Sequence, residues 1–517
     1  MFLFLFIYFI STYEIARHSE WQIKALLFSF LMSSLPIFFL SLGRVLSLLF
    51  STIFFILFLF NLYLIIHFDF ISQNMLLAIS GANSHEIKSM LFSENPVFLA
   101  LVFFCICLIA RASWKYAKFR PTYIIASLIF MIYPVVRIVK HQMTSSHREH
   151  NSTSEHILDI SRHMPGYIGN SLFMIYMYFS SENQLKAVLH TKNDSMIIGK
   201  NIPKENNIIL IIGESDISDR HNIYGYTQQN TTPNANRLQK NGKLCVIKNS
   251  HSSANMTRYA VPMIISFYDP DHQDKIFSEK NLIELARDNG YQTYWIASQD
   301  GRGPYARPFG YLSEFSQYVT RQDYNNAQNH VDWHDESILP VIKEKFTDTY
   351  KYKFFVIHIV GSHMDYEDNR TQEDINALPQ ADAYDQSIHR TDRIINEIIN
   401  MADKNLKKYV LLYTSDHGEV VSDNKMSQYG HGLQYGGYAQ YRIPTFLING
   451  SDYCQIAENL KNKDGYFTET MDKFLLLDMM GYQVSPAAIK ETQMIDHILH
   501  SDGKVYDYKN LPTHASE

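Results

Sequence analysis

Cysteine is scarce: the chain has four in 517 residues, too few for a small disulfide-stapled scaffold. A basic excess is also missing. Lys plus Arg number 46 against 52 Asp plus Glu, a formal net charge of −6, whereas a nucleic-acid binder normally carries surplus positive charge. The 22 glycines and 16 prolines are too few for a collagen-like or low-complexity chain. The apolar stretch 1–16 has neither a basic n-region nor a small-residue cleavage site, which argues against a cleaved signal peptide.

What the chain does contain is unevenly distributed. The first 140 residues are dominated by Phe, Leu, Ile, Ser and Tyr, and the remainder reads as a polar globular domain. Five apolar runs lie at roughly 1–16, 25–43, 46–67, 97–110 and 122–139. A membrane-spanning helix needs about 20 mainly apolar residues. The third run reaches that length, and the shorter ones need flanking residues to complete a span. The expectation is a transmembrane bundle of about five helices over 1–140. Arg111, Lys115, Lys118 and Arg120 form a basic loop without acids, predicted to be cytoplasmic. The loop 68–96 carries Asp69, Glu86 and Glu94 against Lys88 and is predicted outside, as is everything after residue 140. Arg17, His18 and Lys24 run mildly against that topology. Residues 141–200 read as a linker whose apolar run Ile168 to Phe179 is too short to span and suits an interfacial helix.

From 207 onward the pattern becomes apolar bursts separated by helical stretches. Asn207–Gly213, Gln292–Ser298, Phe354–Gly361 and Tyr409–Thr414 read as buried strands of a central, mostly parallel sheet in an α/β domain over 201–517. Each burst runs into reactive residues: Glu214-Ser215, Gln299-Asp300, Ser362-His363 and Asp416-His417. Ligand sites in open α/β sheets lie at the carboxyl ends of strands, so four strands deliver side chains to one edge. Glu214, Asp416, His417, His363 and His431 combine carboxylate and imidazole without thiolate, a donor set that suits zinc or manganese. The segment Asn249–Ser266, NSHSSANMTRYAVPMIIS, offers hydroxyls at a predicted helix start, Ser252, Ser253 and Thr257. A helix N-terminus or a metal favours the alkoxide form of such a group. Simple capping of the helix is the alternative.

These residues resemble the membrane phosphoethanolamine transferases of Gram-negative bacteria, the group that includes the colistin-resistance enzymes, within the alkaline phosphatase/sulfatase superfamily. The resemblance rests on IIGESDISDRHNIYGY (211–226), TTPNANRL (231–238), MTRYAVPMIIS (256–266), HIVGSHMDY (358–366), YDQSIHRTD (384–392), TSDHGE (414–419) and YGHG (429–432), in family order. It implies Thr257 as nucleophile and Glu214, Thr257, Asp416 and His417 as ligands of one zinc, with a second zinc or manganese as variants. It implies His363 and His431 as substrate-site histidines, and Gln299 and Arg302 where the family has an Asn/Lys pair. Asn83 and Glu86 match the family's headgroup motif in the outside loop.

Function follows as an expectation: transfer of phosphoethanolamine from phosphatidylethanolamine to an envelope acceptor, through a covalent Thr257 intermediate. The implied location is the bacterial inner membrane, multi-pass, among membrane lipids, with the catalytic domain in the periplasm and no nucleic-acid partner. Phosphoglycerol transfer and phosphodiester hydrolysis are alternatives on the same core. Sulfate-ester cleavage is disfavoured because the Cys/Ser-x-Pro-x-Arg signature is absent. A non-catalytic membrane scaffold has no need of a hydroxyl among its metal ligands. Cys105 and Cys107 lie in the membrane half, so Cys245 and Cys454 leave at most one disulfide outside, and whether they pair stays open. That scarcity points to a lipopolysaccharide core sugar ahead of lipid A. Acceptor choice is expected from 141–200, 300–350 and 364–383, with Arg302, Arg307, Arg321, Tyr305, Tyr311 and Tyr318 as candidates.

Overall fold

The structure is a computed structural model and describes residues 34–68, 96–129, 132, 192–299, 301, 305–319, 334–421 and 429–511. Two compact units are present, Met1–Gln184 and Leu185–Glu517.

In the first unit the described helices are α1 (Ser34–Ser41), α2 (Arg44–Phe68) and α3 (Pro96–Tyr116). α2 has 25 residues and no acidic side chain, and at about 1.5 Å per residue it is roughly 37 Å long. α3 opens on Pro96, whose missing N–H is harmless in a first turn. Phe39 of α1 stacks on Phe50 at 5.9 Å and meets Phe54 edge-on at 5.5 Å. Small residues bring α2 and α3 together, where the buried Ser47 Oγ donates to Ser113 Oγ at 3.1 Å. Val45, Ile56, Phe103 and Phe104 remain exposed on the outer faces. Among the residues with described side chains, no helix is long and apolar enough to cross a membrane. Run 1–16, the loop with Asn83 and Glu86, half of run 122–139 and the stretch Ile168–Phe179 lie outside the described residues.

The second unit is built on a seven-stranded sheet: β1 (Asn207–Gly213), β2 (Leu244–Ile247), β3 (Gln292–Ala297), β4 (Gln317–Val319), β5 (Lys353–His358), β6 (Val410–Ser415) and β7 (Thr445–Ile448). Their order across the sheet is β2-β7-β6-β1-β5-β3-β4. β1, β3, β4, β5 and β6 pair in parallel, whereas β7 runs antiparallel to both β6 and β2. The sheet is therefore mixed but mostly parallel, as expected, with four parallel pairings and two antiparallel ones made by β7. All seven residues of β1 are buried, as a strand covered on both faces requires.

Alternation divides the strand side chains between two cores. Ile208, Leu210, Ile212, Trp295, Val356 and Leu412 face one cluster, and Ile209, Ile211, Tyr294, Phe355, Leu411 and Tyr413 the other. Helices α4 (Thr257–Ile265) and α7 (Asp472–Met479) contribute to the first cluster, and α5 (Ala383–Asn405) to the second. α6 (Ser451–Leu460) also joins the first, and its Cys454 forms a disulfide with Cys245 of β2. α8 (Pro486–Met494) follows near the carboxyl end. Register decides what happens next: Ile212 pairs with His358, Gly213 with Ser415, and Ala297 with His358. The central strands thus end level, and the residues that follow them emerge together.

Candidate active site

Glu214 follows β1 directly and is 1% exposed. The chain turns sharply after it, since Ser215 adopts φ +55°, a left-handed conformation rare for a residue with a side chain. That turn lets Ser215 N donate to Asp416 Oδ1 at 3.2 Å while its hydroxyl donates to Glu214 Oε1 at 2.8 Å. Gly361, at φ +54°, makes room for the same turn: a Cβ there would lie 3.0 Å from Glu214 O. Asp416 and His417 follow β6, and Asp416 N donates to Gly213 O at 3.2 Å. Gly418 has to be glycine, because a Cβ would come within 2.2 Å of Ala439 O.

Thr257 is the first residue of α4, so its hydroxyl sits at the positive end of a helix dipole. Pro262 within α4 gives up one backbone hydrogen bond, but the helix continues to Ile265. Thr257 Oγ1 lies 3.1 Å from Glu214 Oε2 and 3.3 Å from His417 Nε2. His417 Nε2 is also 3.2 Å from Glu214 Oε1 and 3.4 Å from Asp416 Oδ2. The other ring nitrogen, Nδ1, donates to Gly418 O at 2.9 Å. That bond fixes the tautomer whose free lone pair, on Nε2, points into the cluster.

This donor set fits a metal. Four ligands held about 2.0 Å from zinc at tetrahedral angles lie about 3.3 Å from one another, matching the separations of 3.1 to 3.4 Å here. Asp416 Oδ2 is buried without a hydrogen-bond partner, an orphan that a cation would satisfy. Electrostatics agree. Burial works to raise Glu214, but the facing His417 outweighs it and holds the carboxyl well below its usual range. Burial and then the Glu214 charge push Asp416 up. Burial would lower His417, yet the Asp416 and Glu214 charges outweigh it and raise the imidazole. Two buried carboxylates competing for one imidazolium call for more positive charge.

His431 borders this cluster. Its ring centroid is 4.2 Å from that of His417 and 5.7 Å from that of His363. Glu214, His417 and His431 offer ligand atoms all within 4.8 Å of one another. His431 Nδ1 is 2.9 Å from Glu419 Oε2, and burial followed by the His417 charge pushes His431 down. His363 Nδ1 donates to Met364 O.

The structure thus brings together Glu214, Thr257, Asp416, His417, His363 and His431. Gln299 joins them, but on the ligand side: its Nε2 donates to Glu214 Oε2 at 2.7 Å and to Ile359 O at 3.1 Å. Arg302, Glu86 and Arg321, and the side chain of Arg307, lie outside the described residues. One further role escaped sequence reasoning, and one residue was read for another. Glu419 accepts from Tyr366 Oη at 2.5 Å and orients His431; its signal was its place three residues after Asp416. Tyr305, expected only as an acceptor contact, is half-buried beside Thr257, and nothing in its neighbourhood of the sequence announced that place.

The sulfatase family's sequence model matches residues 206–472, about half the chain, including every described site residue named above. The chain belongs to the sulfatase family. It is 24% identical over 391 residues to phosphoethanolamine transferase EptC of Escherichia coli (strain K12), covering 70% of this chain and 66% of that protein. It thus spans just under two thirds of that relative's length. Phosphoethanolamine transferase CptA of Salmonella typhimurium (strain LT2) is 25% identical over 424 residues, 76% of this chain and 72% of that one. Among solved structures, the integral membrane protein lipooligosaccharide phosphoethanolamine transferase A (EptA) from Neisseria meningitidis superposes with a TM-score of 0.63 at 17% identity. That match covers 90% of this chain and 89% of the other. The zinc complex of the C-terminal periplasmic domain of EptC from Escherichia coli gives 0.52 at 18% identity, over 62% of this chain and 98% of that one. At these identities the structural likeness establishes the fold.

Proposed function

We propose that this protein transfers phosphoethanolamine from phosphatidylethanolamine to a cell-envelope acceptor, a lipopolysaccharide core sugar or lipid A. The single observation that carries the reading is the Thr257 hydroxyl, placed at a helix start within 3.1 Å of Glu214 and 3.3 Å of His417. A hydroxyl among metal-type donors is a nucleophile's setting, not a cap's. The relatives named phosphoethanolamine transferases supply the group transferred.

Glu214, Thr257, Asp416 and His417 are the proposed zinc ligands; bound there, zinc supplies a Lewis acid that lowers the pKa of the Thr257 hydroxyl and offsets phosphoryl charge. Thr257 gives its hydroxyl proton to His363 or His431 as its Oγ attacks phosphorus, the Oγ–P bond forms, and the bond from phosphorus to the diacylglycerol oxygen breaks. His363 or His431 protonates the departing oxygen. His431 is oriented for this by Glu419, and Glu214 is held in place by Gln299. An acceptor hydroxyl or phosphate then attacks the phosphoethanolamine on Thr257, giving up its proton to the same histidines and regenerating the free hydroxyl. Arg302 and Glu86 are proposed to contact the substrate's phosphate and headgroup.

The same reading places the protein in the bacterial inner membrane, with residues 1–140 as five spans, 141–200 as a linker and 201–517 as the periplasmic catalytic domain. The apolar outer faces of α2 and α3 support that placement. Thr257→Ala tests the mechanism: the full chain in detergent should lose at least a thousandfold in donor turnover while binding zinc nearly as well. Normal turnover of the lipid donor by Thr257→Ala would sink it.

A further inference from the structure

Ser215 keeps its left-handed backbone, φ +55°, in a fully buried turn. A residue with a side chain persists in that conformation only where its surroundings fix it. On the side of the metal site the turn makes two bonds: Ser215 N donates to Asp416 Oδ1 at 3.2 Å, and Ser215 Oγ donates to Glu214 Oε1 at 2.8 Å. Those bonds aim both carboxylates. The geometry of the proposed zinc ligands therefore depends on how firmly the turn is held from behind.

Behind it stands Tyr384, in the first turn of α5. Its buried hydroxyl donates to Ser215 O at 2.6 Å and accepts from Ile217 N at 3.1 Å. One phenolic oxygen thus bridges the peptide groups on both sides of Asp216, satisfying an acceptor and a donor that water does not reach. Asp216 has partners of its own. Its N–H donates to Ser415 Oγ at 3.2 Å and to His417 O at 3.1 Å, and its carboxylate meets Tyr413 Oη and His221 Nε2, each at 2.6 Å. Among the described residues, Tyr384 alone bonds the Ser215 carbonyl. Burial, ahead of the Asp216 and Glu419 charges, pushes the Tyr384 phenol well up, so the hydroxyl keeps the proton it donates.

We propose that Tyr384 is a positioning residue for the metal site: its hydroxyl, bonded to backbone alone, locks the left-handed turn at Ser215 and so sets the Glu214 and Asp416 carboxylates at the spacing a metal needs. The inference rests on zinc binding at Glu214, Thr257, Asp416 and His417. Without the hydroxyl, the Ser215 carbonyl and the Ile217 N–H lose their partner. Ser215 is then free to relax out of the left-handed region, which carries its N–H away from Asp416 and its hydroxyl away from Glu214.

The test uses the full chain in detergent micelles, stripped of metal and titrated with zinc against a chelating dye. Tyr384→Phe keeps the ring and removes one oxygen; it should weaken zinc binding by about tenfold or more, as loss of a group that orients metal ligands does. Tyr482→Phe is the control for plain stability. Its buried hydroxyl also donates to a carbonyl, Leu285 O at 2.7 Å, but beside residues 200–204 that lead into β1, at the far end of that strand from Glu214. The metal-free forms of the two variants should melt within a few degrees of each other, and Tyr482→Phe should bind zinc as the wild type does. Wild-type affinity in Tyr384→Phe, or an equal loss in Tyr482→Phe, would overturn the positioning role while leaving zinc at the site. A wild type that binds no zinc would overturn the metal reading, and the positioning role with it. Coupling is reciprocal, so zinc should also slow amide exchange at Ile217 of the wild type by about tenfold or more. Exchange there that ignores zinc would contradict the proposal. If Tyr384→Phe does not fold, that exchange measurement decides.

Discussion

His358, the last residue of β5, is fully buried with both ring nitrogens unpartnered. The rings of Phe309 and Trp295 face it edge-on at 5.4 and 6.3 Å. Burial lowers its pKa to about 4, and the nearby Glu214 and Asp335 charges recover only part of that. The unfolded chain, titrating at its ordinary 6.5, therefore binds more protons than the folded one between pH 4 and 6.5. Stability should be fully present above 6.5 and fall as pH drops through that window, by about 3 kcal/mol in all. Urea midpoints measured against pH should show this loss in the wild type and a visibly flatter curve in His358→Leu. Parallel curves for the two proteins would contradict it. At this scale much of the site was legible: Glu214, Asp416 and His417 stand directly after apolar bursts, so strand ends alone announced them. Tyr305 was read only as an acceptor candidate, because its approach to Thr257 depends on tertiary packing that leaves no periodic trace. Gln299 was read as a substrate contact, whereas its amide is occupied by Glu214 and Ile359 O, a bond visible only once β1 and β3 are placed in one sheet.

Among the elements, the strands were the most readable because burial on both faces forces uninterrupted apolar runs, as in NIILIIG of β1. The direction of β7 was not readable. Thr445–Ile448 has four buried residues, and so short a run looks the same whether its neighbours are parallel or antiparallel. The sequence left open whether Cys245 and Cys454 pair, since 209 residues separate them; the structure joins them between β2 and α6. The bridge joins a sheet edge to the helix packed on it. Closing so long a loop restricts the unfolded chain by an amount on the order of 5 kcal/mol in the chain-entropy picture. Reductant, or the Cys245→Ser/Cys454→Ser pair, should lower the melting temperature of the chain by several degrees or more while leaving zinc content unchanged. An unaltered melting temperature would mean that the bridge adds nothing to this fold.

At the scale of the molecule, the uneven composition of the chain matches its division into two compact units, Met1–Gln184 and Leu185–Glu517. In the sequence the apolar runs end near residue 140 and the apolar bursts begin at 207, on either side of that division. A metal bound to the folded second unit and not to the unfolded chain stabilises it by mass action, about 4 kcal/mol at a thousandfold excess over the dissociation constant. Chelation should therefore lower the melting temperature, and zinc should restore it more fully than magnesium, given the carboxylate and imidazole donors. A melting curve indifferent to chelator would count against metal at Glu214, Asp416 and His417.

The most direct test of the account is intact-mass analysis of the purified full-length protein after incubation with phosphatidylethanolamine and no acceptor. The account predicts a mass gain of one phosphoethanolamine group, mapped to Thr257 by peptide fragmentation, absent from Thr257→Ala and lost when acceptor is added. An unmodified mass in a zinc-loaded protein that nevertheless consumes the donor, or an adduct on any other residue, would contradict it.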